Sequence, residues 1–72
     1  MSLSEEAVGI AARCHPLLAG HHPAIQGAAL ADLLATWLAG HDADLREAML
    51  DAHIHIVREL VPINEALFRA QR

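Results

Sequence analysis

Apolar residues recur along this chain at alternating spacings of three and four in three stretches, and no window alternates apolar and polar at a spacing of two. The first pattern marks one face of a helix and the second would mark a half-buried strand, so an all-α fold of three helices is predicted. The first helix is expected over residues 3–19, where Leu3, Ala7, Ile10, Cys14 and Leu17 form one stripe. It is expected to start at Ser2 or Ser4: Ser2 with Glu5 three residues later fits a capping box, and Glu5 and Glu6 suit the positive end of the helix dipole. Pro16 should bend or end this helix near Cys14, with Gly20 closing the segment.

The second helix is expected over residues 23–39, with Pro23 in its first turn and Gly40 just beyond its end. Asp32 is its only formal charge. Leu30, Leu34 and Leu38 make a ridge, Leu33 and Trp37 lie beside it, and Ala24, Ala28, Ala31 and Ala35 form a smooth strip. A helix apolar almost all round belongs at the centre of a bundle or in a subunit interface.

The third helix is expected over residues 43–69, bent near Pro62. At 100° per residue, Asp44, Glu47, Asp51, His55, Arg58, Pro62, Glu65 and Arg69 share one narrow polar stripe. Leu45, Met49, Ile56, Leu60, Ile63 and Leu67 occupy one apolar flank, and Leu50, Ile54, Val57, Val61 and Phe68 the other. Two flanks call for two packing partners, one within the chain and one from another copy. The interface is accordingly assigned to Leu50, His53, Ile54, Val57, Val61 and Phe68, with Trp37 of the second helix. The predicted architecture is a three-helix bundle, the apolar second helix central, assembled into a homo-oligomer with a dimer as the first expectation. No linker, low-complexity tail or internal repeat stands out.

Composition strengthens the case for association. Of 72 residues, 54% are of the AVILMFWYC set before Gly is counted, against about 45–50% with Gly included in ordinary domains. A domain this short has little interior, and small folds compensate with disulfides, metal or self-association. Cys14 is the only cysteine, so no disulfide forms within the chain; its place on the apolar stripe marks it as structural.

Charge removes several functions. The net charge is −4, with no Lys and five scattered Arg, which offers no basic face for nucleic acid. Asp42, Asp44 and Glu47 at the start of the third helix would repel phosphates in a helix-turn-helix docking. The acidic start carries no secretory signal, no stretch is apolar enough to span a membrane, and a cytoplasmic protein is expected.

Six His are the chemistry worth weighing. His53 and His55 are two residues apart and point to opposite sides of a helix, so they cannot share a metal there. His55 reads as a solvated residue with Asp51 and Glu59 at helical spacing. His53 sits in the apolar arc and needs a partner or a place at the subunit interface. His21 and His22 precede the second helix and His41 follows it, too far apart for one ion unless an antiparallel dimer joins them. With His53 they are the metal candidates, and imidazole ligands would suit Zn or Ni. Nothing supplies a nucleophile turn or phosphate loop, so no enzyme is assigned; an acid–base pairing of His53 or His55 with Asp51 is the weakest alternative. The reading is a non-enzymatic helical oligomerisation or interaction module with an unidentified protein partner. The alternative is a small-ligand or transition-metal protein using His from two subunits.

Overall fold

The computed structural model describes residues 2–71. Helices take nearly all of them: α1 over Leu3–Leu18, α2 over Pro23–Ala39, a 3₁₀ turn over Ala43–Leu45 and α3 over Arg46–Ala70. The fold is all-α, with no strand among the described residues.

Local chemistry explains each boundary. Ser2 Oγ accepts the Glu5 backbone N–H at 3.1 Å and starts α1. Pro16 does not end that helix near Cys14, as its sequence suggests; α1 continues to Leu18. Proline removes one backbone bond, here the one to Ala12, and the ladder resumes when the Ala19 N–H donates to the His15 carbonyl at 3.0 Å. Pro62 likewise lies inside an unbroken α3. His22 caps α2, its Nδ1 accepting the Ala24 N–H at 3.0 Å just ahead of Pro23. Asp42 makes no such side-chain bond; the 3₁₀ turn leads into α3 instead, with the Leu45 N–H on the Asp42 carbonyl at 3.0 Å.

The chain divides into two units, Met1–Leu33 and Leu34–Arg72. They are built alike, which corrects the expectation of no internal repeat. Leu18-Ala19-Gly20-His21 recurs twenty residues on as Leu38-Ala39-Gly40-His41. In each turn the His N–H donates to the Leu carbonyl, at 3.3 Å from His21 and 3.1 Å from His41. In each, a side chain eight residues past that Leu reaches back to the same carbonyl. Gln26 Nε2 donates to Leu18 at 2.8 Å, and Arg46 Nε to Leu38 at 3.0 Å. Half-burial repeats at the same interval: Cys14 and Leu34, Leu18 and Leu38, Gln26 and Arg46, Ala29 and Met49. The repeat is quiet in the letters because flanking positions have diverged, Leu17 to Trp37 and Gln26 to Arg46.

The two turns differ at glycine. Gly20 has φ of +81°, a conformation that side chains resist, whereas Gly40 has no positive φ. A Cβ at Gly40 would meet the Trp37 carbonyl oxygen at an ordinary 3.6 Å. Gly20→Ala should therefore lower unfolding free energy by about 1 kcal/mol. Gly40→Ala should stay within about 0.5 kcal/mol of the parent, because Ala also loses less entropy on folding. Urea titrations of both variants at one chain concentration, followed by ellipticity, check this contrast; equal losses would contradict it.

Candidate interaction surface on the third helix

No described residue is buried in the single chain. The half-buried positions of the second unit are Leu34 and Leu38 on α2 and Arg46, Met49, Leu50 and His53 on α3. They cover only the first two turns or so of α3, and they draw on both of its apolar flanks. Half-burial on α3 is thus divided along the helix axis, not around it.

Aromatic and polar groups hold those covered turns. The Trp37 ring meets His41 edge-on at 5.6 Å and His53 at 5.5 Å between centroids. An aromatic at 37, where the first unit has Leu17, reaches one turn further along the next helix. His53, in contact with that ring, is half-buried, as is Leu50, while Leu30 and Leu33 at the matching places stay exposed. Arg46 closes the C-terminus of α2: besides Leu38 it donates from Nε to the His41 carbonyl at 3.0 Å and from a terminal nitrogen to Ala39 at 3.1 Å. The Leu38 carbonyl also takes the His41 backbone N–H, so Arg46 adds a second, charged donor at the end of the helix.

Beyond His53 nothing covers the helix. Ile54, Val57, Leu60, Val61, Ile63, Leu67 and Phe68 are all exposed, Val61 at 56% and Phe68 at 62%. Val57, Leu60, Val61, Asn64, Glu65 and Phe68 line an open groove of about 420 Å³. A second, smaller hollow of about 330 Å³ lies in the first unit beside Cys14, Leu18, Leu30 and Leu33. No helix among the described residues is long and apolar enough to cross a membrane.

No family model, curated protein or solved structure matches the chain. Its own side chains therefore carry the functional reading.

The expected interface residues separate into two groups. Ile54, Val57, Val61 and Phe68 are uncovered and lie together on α3. Leu50, His53 and Trp37 take part in the packing of the second unit, where His53 finds an aromatic neighbour in its own chain. Of the metal candidates, His41 and His53 both meet the Trp37 ring. His22 uses its Nδ1 lone pair on the α2 cap. His41 donates from Nδ1 to the Trp37 carbonyl at 2.8 Å, and the other ring nitrogen then holds the lone pair. Among the described residues no group of three or more His, Cys, Asp or Glu could hold a metal ion. His55 pairs with Glu59 at 3.0 Å, exposed on both sides, as its helical spacing suggested. Arg46 and Gln26 were not foreseen as capping groups. The signal was present as a long polar side chain eight residues after the last Leu of each preceding helix.

Proposed function

We propose that this protein is a non-enzymatic helical module whose folded form is a homo-oligomer, a dimer first, and whose role is to bring chains together. One observation carries this: no described residue is buried, although the helices present many large apolar side chains. Hydrophobic transfer favours covering such surface, and a second copy is the partner always present at matching concentration.

Native mass spectrometry and sedimentation equilibrium on untagged protein prepared without added metal test the reading. The expected result is a dimer of unmodified mass that dissociates on dilution, with helical ellipticity falling in the same concentration range. A folded monomer at all concentrations would overturn it. Extra mass matching a metal or small molecule would instead favour a binding protein with His from two subunits.

A further inference from the structure

We infer that the uncovered half of α3 pairs antiparallel with the same segment of a second copy, in one register set by Arg58 and Glu65. This rests on the self-association proposed above and assigns its surface. Leu50, Ile54, Val57, Val61, Asn64 and Phe68 recur at spacings of four, three, four, three and four. That is the a and d seam of a heptad, with Ile54, Val61 and Phe68 at a and Leu50, Val57 and Asn64 at d. The groove beside Val57, Val61 and Phe68 is this seam seen from outside. Pro62 falls at position b, away from the seam, so its missing N–H leaves the contact face intact.

The residues at position e alternate in sign: Asp51, Arg58, Glu65. In an antiparallel pair, e faces e of the partner, and the register decides which ones meet. Placing the two-fold axis between residues 62 and 63 stacks Phe68 on the partner's Val57 and Val61 on the partner's Asn64. It also sets Arg58 opposite the partner's Glu65, twice by symmetry. One heptad of slip in one direction puts Arg58 on the partner's Arg58 and Asp51 on the partner's Glu65. One heptad in the other puts Glu65 on the partner's Glu65. A slip of two heptads runs the seam over turns where Leu50 and His53 are already half-covered. A parallel pair would set His53 against the partner's Arg58 and Leu60 against the partner's Glu65, with no opposite charges meeting over the uncovered turns.

Two further features agree with this register. Arg58 has no carboxylate three or four residues away on its own helix, so nothing there satisfies its charge. Glu65 already pairs with Arg69 on its outer side, and a carboxylate has lone pairs enough for a second guanidinium. The two Asn64 amides come to flank the axis, where one polar pair in an apolar seam penalises other registers.

Charge reversal reads this directly. Arg58→Glu and Glu65→Arg should each weaken dimerisation roughly tenfold, since each replaces two attractions by two repulsions of exposed-pair size. The double variant Arg58→Glu/Glu65→Arg should return to within about threefold of the parent, and so should an equimolar mixture of the two single variants. Recovery in the double variant separates pairing from misfolding, because that chain carries both substitutions. A dimeric parent with unaffected single variants, or a double variant as weak as the singles, overturns the assigned seam while the module reading stands. A parent that stays monomeric overturns the module reading and the seam with it.

Discussion

Val57→Asp is expected to raise the dimer dissociation constant by at least about 100-fold, because it places a carboxylate against the partner's Phe68 in an apolar layer of the seam. Desolvating a charge without a partner costs several kcal/mol, and each 1.4 kcal/mol is a factor of about ten in affinity. Helical ellipticity should fall with the dimer, since no described residue of the single chain is fully buried and short helices are marginal in water. Ala66→Asp is the matched control: it adds the same charge one helical face away, on the polar side of α3, and should change the constant by less than about threefold. Sedimentation equilibrium measures both. Equal effects from the two substitutions would mean that the seam is not the contact surface.

Arg46→Ala has the next largest expected effect, a loss of about 2 kcal/mol of stability, or roughly 10 °C in melting temperature. Its guanidinium joins the carbonyls of Leu38, Ala39 and His41 at the end of α2, and charged donors make stronger bonds than neutral ones. Removing it strips the α2 terminus of those partners while the site remains half-covered. Arg46→Lys should recover only part of the loss, because a point charge cannot reproduce the fork that serves three carbonyls. Gln26→Ala, the neutral counterpart with a single bond to Leu18, should lose about 1 kcal/mol. Thermal melts at one chain concentration give all three values. An Arg46→Ala loss below about 0.5 kcal/mol would show that the cap contributes little.

Local signals were the legible part of this fold. Pro23 and Gly40 marked α2 to the residue, and Ser2 marked the start of α1, because caps and helix breakers act through neighbours within four positions. Pro16 and Pro62 each remove one bond, and the helix assignment continues past both. The caps supplied by Gln26 and Arg46 lay outside that range, since their carbonyls are eight residues back across a turn. The recurrence of Leu-Ala-Gly-His was visible as letters. Its meaning depended on finding the same bonds at both places. For the candidate surface, periodicity grouped Ile54, Val57, Val61 and Phe68, but it could not tell that half-burial is confined to the first two turns or so of α3. The Trp37 ring meets His53, the last half-buried residue of α3, a contact across a turn that spacing along one helix does not encode.

The lack of any buried side chain also bears on time and abundance. On the proposed reading, folding and pairing are one event, so the folding half-time shortens as the protein accumulates and lengthens as it is diluted. A solitary chain keeps its backbone open to proteases for as long as it waits for a partner. Lifetime then rises with concentration, and the chain is preserved only where its own synthesis is high enough to pair it.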